Sequence, residues 1–339
     1  MFTLIILSVI CIPLFYLLLS FYIKFAINNK FIDKPENISV HKKNTPTGAG
    51  IIIVITLIIF YLLLKFEIFS ISKTFIFPNR EYLLFISILM LGFINFYDDI
   101  KHIHPIYRLA THFTMVMISL PLFAYYMEPN YYNFLPLKIL TMFTIFFWVY
   151  LINIYNFIDG SNGYLTINSL QVFFSFCLIA IEKNFLGFNF YLSFLMILFL
   201  LVFLLFNFPK AKIFIGDSGS VTIGYIVGYL FFVLFFQGNW HIALALVAYP
   251  LMDVSITILR KMKNGHNPWE RLFDYFFLRA LTSINYNHKK IFYISLGYNL
   301  LNVIIIGAMI VSDIKTFLLL SLMLSVVKLY IFNKMKSYK

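Results

Sequence analysis

Charge is what this sequence has least of. Only 12% of its 339 residues are Asp, Glu, Lys or Arg, whereas 61% are hydrophobic, and the mean hydropathy is +0.88. A soluble domain solvates its surface with charged groups, so this balance excludes one. Long polar stretches are missing too. None approaches the ~100–150 residues of a typical domain, and residues 1–339 are expected to form a single integral membrane domain. Cysteine is nearly absent. Cys11 and Cys177 both lie in apolar runs, which points to packing and away from a disulfide or metal site. The first apolar stretch lacks a basic leader and a small-x-small cleavage site, so it reads as a retained helix. No internal repeat and no low-complexity tract is visible.

What fills the chain is apolar runs of about 18–25 residues, the length that crosses a bilayer as a helix. The expected fold is all-α, a polytopic membrane protein with about 11 transmembrane helices. The spans fall near 3–24, 48–66, 82–97, 107–127, 137–155, 164–181, 190–207, 219–236, 241–259, 290–311 and 315–333. Lys and Arg are unevenly shared between the two sets of connectors. Nineteen of the 26 fall on one side if the N-terminus is outside and the C-terminus cytoplasmic, and the positive-inside bias selects that orientation. The net charge of +12 also suits an anionic lipid or nucleotide partner.

Five connectors then face the cytoplasm, and they hold the chemistry. The richest is Asn153-Ile-Tyr-Asn-Phe-Ile-Asp-Gly-Ser-Asn-Gly163, where two amides, a carboxylate and two glycines arrive between apolar runs. An ionisable group beside hydrocarbon is a site hypothesis by default. The plainer reading is that Asp159 or Asn162 caps the next helix. Asp98 and Asp99 end the third span. At about 4 Å and an effective dielectric near 20 their repulsion is roughly 4 kcal/mol, so they need a cation or good solvation. In Gly216-Asp-Ser-Gly-Ser220, Ser218 or Ser220 is expected to cap the following helix, leaving Asp217 free for a metal. The string looks like a serine-protease nucleophile motif, but that geometry belongs to a soluble fold, and no Gly-Lys-Ser/Thr follows to make a P-loop. Asp98, Asp99, Asp159 and Asp217 on one face would suit Mg²⁺, which bridges carboxylates and substrate phosphates.

The remaining connectors are weaker signals. Thr45-Pro-Thr-Gly-Ala-Gly50 opens the second span beside Lys42 and Lys43, and a helix start with free N–H groups suits a phosphate. In the connector 260–290, Arg271, Asp274, Arg279 and His288 are placed to reach a phosphate or sugar, and its aromatics read as interfacial or amphipathic. His102, His104 and His112 lack the paired spacing of a zinc site and read as structural or interfacial.

Together, Thr45-Pro-Thr-Gly48, Asp98-Asp99, Asn153-x-x-Asn156-x-x-Asp159-Gly160 and Phe214-x-Gly-Asp-Ser-Gly-Ser220 resemble the polyprenyl-phosphate N-acetylhexosamine-1-phosphate transferase family, the membrane glycosyltransferases of family 4. The resemblance implies a bacterial inner-membrane enzyme with its active site on the cytoplasmic face. It implies transfer of an N-acetylhexosamine 1-phosphate from a UDP-sugar to undecaprenyl phosphate, with release of UMP. It gives Asp217 the role of Mg²⁺ ligand (Mn²⁺ the substitute ion), with Asp99 and Asn153 helping to hold the metal. Asp98 would position or deprotonate the lipid phosphate, Asn153, Asn156 and Asp159 would contact the nucleotide sugar, and Lys42 or Lys43 would touch phosphate. Two departures stand out. Asn162 replaces a second acid, and Trp269-Glu-Arg-Leu-Phe-Asp-Tyr275 stands where relatives carry a His-x-His string. The second departure favours the branch that initiates surface polysaccharides over the peptidoglycan-precursor branch. Partners are the lipid phosphate, the UDP-sugar and the bilayer, with no nucleic acid and a homodimer left open. A lipid-linked-sugar transporter or flippase is the competing class, but its site would lie near the midplane, and these acids sit at span ends.

Overall fold

The structure is a computed structural model. It describes residues 2–35, 41, 43–65, 80–123, 136–183, 187–267, 274–284 and 287–335. Each of the eleven apolar runs contains a helix, as hydrocarbon requires of a backbone that must satisfy its own N–H and C=O groups. In chain order these are α1 (Phe2–Asn28), α2 (Gly50–Lys65), α3 (Tyr82–Lys101), α4 (Pro105–Ser119, continued by a 3-10 turn Leu120–Phe123) and α5 (Leu137–Phe157). Then follow α6 (Tyr164–Glu182), α7 (Phe188–Asn207), α8 (Gly216–Phe236) and α9 (Trp240–Lys263). A short helix, α10 (Phe276–Ser283), precedes α11 (His288–Ser312) and α12 (Phe317–Met335). Ten of these are long and apolar enough to cross a membrane, and α2 is the shorter one at 16 residues. The protein is a multi-pass membrane protein. Its one sheet among the described residues is a two-residue antiparallel ribbon, β1 (Ile32–Asp33) with β2 (Thr45–Pro46), in the register Ile32↔Pro46.

Helix α8 is the axis of the bundle. Its apolar window is 94% buried, against 17% for α1 and 28% for α12. It packs chiefly against α5 and α3, with α2 and α9 completing the surround. The packing is polar as well as apolar, as expected where lipid supplies no hydrophobic drive between helices. The Trp148 indole of α5 donates to the Tyr225 carbonyl of α8 at 2.9 Å and stacks on its ring at 5.0 Å. The Tyr225 hydroxyl bonds Ser119 of α4, which bonds Ser87 of α3 at 3.0 Å.

Two boundaries differ from the expectation, each for a physical reason. Helix α3 continues past 97 to Lys101, so Asp98 and Asp99 sit inside its last turn, where both carboxylates have partners. Helix α10 was not anticipated. Its Phe276, Phe277, Leu278 and Leu281 are buried within the protein, so these aromatics do not lie along a membrane surface.

At the opposite end of α3, Glu81 is 3% exposed and its Oε2 meets no hydrogen-bond partner. Burial pushes its carboxyl up to about 8 from 4.5. The folded state therefore holds this proton more tightly than the unfolded chain. Its stabilising contribution is complete below about pH 4.5 and is lost as pH rises through 8. Glu81→Gln is expected to melt like the parent at pH 5 and to be the more stable protein at pH 9, which thermal unfolding in detergent at the two pH values would check.

Candidate active site

The site is built where α2, α3, α4, α5 and α8 meet at one end of the bundle. The lead-in to α8 first docks on α2. Phe214 N–H donates to the Pro46 carbonyl at 2.8 Å, while Ala49 and Gly50 N–H donate to the carbonyls of Phe214 and Ile215 at 3.2 and 2.8 Å. The free N–H groups that made the start of α2 a phosphate candidate are thereby engaged. The contact is close because neither helix has a side chain there. A Cβ on Gly50 would stand 2.0 Å from the Gly219 backbone nitrogen.

Asp99 of α3 then caps α8 from outside the segment. Its Oδ1 and Oδ2 accept the N–H groups of Asp217 and Ser218 at 2.7 and 3.2 Å. A carboxylate at a helix N-terminus is favoured by the unpaired N–H groups and the helix dipole. Gly216 makes this approach accessible. It holds φ +73°, and a Cβ there would stand 2.5 Å from Asp99 Oδ2. The expected self-cap by Ser218 or Ser220 is not what the chain does. Both hydroxyls are buried without a hydrogen-bond partner, and the cap comes from Asp99 instead.

Asp217 is not free either. Arg108, in the first turn of α4, bridges Asp98 Oδ2 at 2.8 Å and Asp217 Oδ2 at 2.5 Å. Asp98 is the more buried of the two, with its side chain 6% exposed against 27% for Asp217. Its other oxygen accepts the Ile103 N–H. So the paired acids are not a solvated helix end. One caps α8 and the other anchors a guanidinium.

The α5–α6 loop supplies the fourth acid. The Asp159 carboxyl is held well above the usual carboxylate range by burial, then by the charges of Asp217 and Asp99. Those three acids therefore face one another electrostatically. Neither Asp159 nor Asn162 caps α6, as the plainer reading had it. The N-cap is Gly163, whose N–H donates to Asn207 Oδ1 at 2.6 Å. Asn162 instead donates to the Pro209 carbonyl at 3.1 Å, and Ser161 bonds His288 Nδ1 at 2.9 Å. Asn153 donates to the Val149 carbonyl of its own helix at 2.7 Å. The Asn156 Nδ2 is buried with no partner.

The other expected residues divide. Asp274 and Arg279 flank the start of α10, and Arg279 lies 6.0 Å from the Phe276 ring. Helix α10 rests on the same loop, because a Cβ on Gly160 would meet Leu278 at 2.9 Å. Lys43 is exposed. Lys42 and Arg271 lie outside the described residues. Of the three histidines read as structural, His112 is buried and the Nδ1 of His104 accepts from Ile106 N–H at 3.4 Å.

Residues 82–235, which span α3 to α8 and so contain all four acids and Arg108, match the model of the family described as Glycosyl transferase family 4. Over α3 to α8 the chain is similar to glycosyl transferase family 4. Similar proteins agree with this. Over 260 residues (76% of each chain) it is 25% identical to the undecaprenyl-phosphate alpha-N-acetylglucosaminyl 1-phosphate transferase of Thermotoga maritima. It is 26% identical over 236 residues to the phospho-N-acetylmuramoyl-pentapeptide-transferase of Listeria innocua (65% of this chain, 69% of that one). With the protein of the same name from Sulfurimonas denitrificans it shares 31% identity over 222 residues (56% of this chain, 60% of that one). Arg108 is the functional candidate that the sequence does not single out, because there it is one more basic residue of a connector.

Arg108 carries a direct prediction. Its removal leaves two acids facing each other without their shared cation, and breaking one side of a buried pair costs about 3–5 kcal/mol. Arg108→Met is expected to lose several kcal/mol of stability, and Arg108→Met/Asp98→Asn to regain part of it. Thermal unfolding of the two variants decides the point.

Proposed function

We propose that the protein transfers the sugar 1-phosphate of a UDP-N-acetylhexosamine to undecaprenyl phosphate, releasing UMP and leaving a lipid-pyrophosphate sugar. The observation that carries this reading is the joining of Asp99 and Asp217 at the start of α8 beside Arg108, with Asp159 of the α5–α6 loop near enough for both charges to act on it. Phosphoryl transfer asks little of a protein beyond positioning and charge neutralisation, and this site offers both. A phosphate oxygen of the lipid attacks the β-phosphorus. The bond from β-phosphorus to the bridging oxygen breaks, and UMP leaves with that electron pair.

The donor set suits a hard cation. It is all oxygen, and Asp159 is pushed up by two neighbouring acids, a repulsion that a bound cation relieves. Among the described residues no three His, Cys, Asp or Glu side chains already close on one point. An ion held here would take one or two of these carboxylates and complete its shell with substrate phosphates. Asp217, Asp99 and the Asn153 carbonyl oxygen would hold the ion, and Mg²⁺ (or Mn²⁺) there would supply neutralisation of the pyrophosphate. Asp98 fixes Arg108, and Arg108 orients Asp217 and attracts the lipid phosphate. The unpartnered Asn156 amide donates to the nucleotide sugar. The excess of Lys and Arg on this side supports a cytoplasmic site in a bacterial plasma membrane. The absence of a His-x-His string from the connector 260–290 supports a donor for surface polysaccharide.

The test uses purified protein in detergent, undecaprenyl phosphate, Mg²⁺ and a panel of UDP-N-acetylhexosamines that includes the UDP-N-acetylmuramoyl-pentapeptide. Lipid-dependent UMP release with one donor, abolished by chelator and restored by Mg²⁺, is the expected result. Folded protein that releases no UMP with any donor would overturn the reading. Turnover of the pentapeptide donor alone would move it to the peptidoglycan branch.

A further inference from the structure

Lys328 sits in the middle of α12, 2% exposed, and its ammonium has no hydrogen-bond acceptor. A lysine in a membrane helix ordinarily extends along the surface toward water. This one turns inward among aromatic faces. Its Nζ lies 3.6 Å from the ring centre of Tyr249, 4.5 Å from Tyr298, 5.3 Å from Tyr164 and 5.9 Å from Phe332. Such a cage holds a cation by its ring quadrupoles. The counter-charge is one residue away. The Tyr249 hydroxyl donates to Asp253 Oδ2 at 2.7 Å, so a single tyrosine presents its face to the ammonium and its proton to the carboxylate.

Two of these groups lead to α10. Asp253 is fully buried, and its Oδ1 accepts the Phe276 N–H, the first of that helix, at 2.9 Å. Tyr164 opens α6 directly after the Asp159 loop, and its ring stacks on Phe277 at 4.2 Å with planes 10° apart. Helices α6, α9, α11 and α12 thus converge on one buried amine, and α10 is tied to them through Asp253 and Tyr164.

We propose that Lys328 is a positioning residue, the cation that pins α10, and with it Asp274 and Arg279, against the Asp159 loop on the nucleotide-sugar side of the site. The assignment of that side rests on the function proposed above; the pinning does not. Lys328→Met keeps the length and apolar stem and removes the charge, while Lys328→Arg restores a cation that aromatic faces also hold. Two measurements separate the claims. Hydrogen exchange of the peptide covering 276–283 in detergent reads the pinning and requires no activity. Michaelis constants for the donor and for undecaprenyl phosphate read its consequence.

In Lys328→Met, exchange over 276–283 is expected to quicken by about tenfold or more while α3 and α8 keep the parent rates. The donor KM is expected to rise about tenfold with the lipid KM within twofold, and Lys328→Arg to recover part of both. Parent-like exchange together with a parent-like donor KM would overturn the proposal. Faster exchange in a protein whose parent turns over no donor would sustain the pinning and fail only the proposed function. If Lys328→Met does not fold, Tyr249→Phe decides. It keeps the ring and cuts the link to Asp253, so unchanged exchange over 276–283 in that variant would overturn the proposal as well.

Discussion

Asp217→Asn is expected to lower lipid-dependent UMP release by about 10³-fold, the scale of losing a charge-stabilising group at a phosphoryl-transfer centre. The substitution is isosteric. The amide keeps an oxygen for Arg108, and the backbone N–H of residue 217 stays on Asp99, so α8 remains capped. The melting temperature should accordingly move by only a few degrees while the rate falls. Initial rates at saturating donor and lipid, with Mg²⁺ varied, separate this from a binding defect. A deficit that shrinks as Mg²⁺ is raised would identify a weakened metal ligand. A rate within about tenfold of the parent would place the chemistry elsewhere.

Gly50→Ala is expected to be the most damaging single substitution for the fold. The added methyl meets the Gly219 nitrogen and Cα at 2.0 and 2.1 Å, and backbone cannot rotate aside as a side chain does. Helices α2 and α8 must separate, which strains the bonds from Ala49 and Gly50 to Phe214 and Ile215. Overpacking at flexible side chains costs about 1–3 kcal/mol, so a backbone clash should exceed that. Failure to accumulate in membranes, or a drop in melting temperature well beyond that of any other single variant here, is the expected outcome. Yield and thermal unfolding in detergent measure it.

The helices were legible because hydrocarbon admits few alternatives, and apolar run length alone located each span. The acids were legible because a carboxylate next to twenty apolar residues needs a reason. What the linear text conceals is who holds whom. Arg108 follows Asp98 by ten residues, but it becomes the partner only because a tight turn at 102–104 lays α4 back along α3. Asp99 caps a helix that begins 117 residues later, so a search for a local cap in Gly216-Asp-Ser-Gly-Ser220 finds serines that make no such bond. The start of α2 looked open to phosphate for the same reason, since nothing in Thr45-Pro-Thr-Gly48 tells that the carbonyls of Phe214 and Ile215 arrive there. Lys328 stands in the sequence as a lone charge within an apolar run. Its tyrosines come from three other helices.

The near-complete enclosure of α8 also constrains how the protein is made. This helix emerges from the ribosome after α2, α3, α4 and α5, the segments that line most of its slot. Until then, those earlier segments lack the helix against which they pack. Only the arrival of α8 brings Asp217 to Arg108. Until residue 217 is synthesised, Asp98, Asp99 and Arg108 are three charges at a membrane edge with no helix to cap.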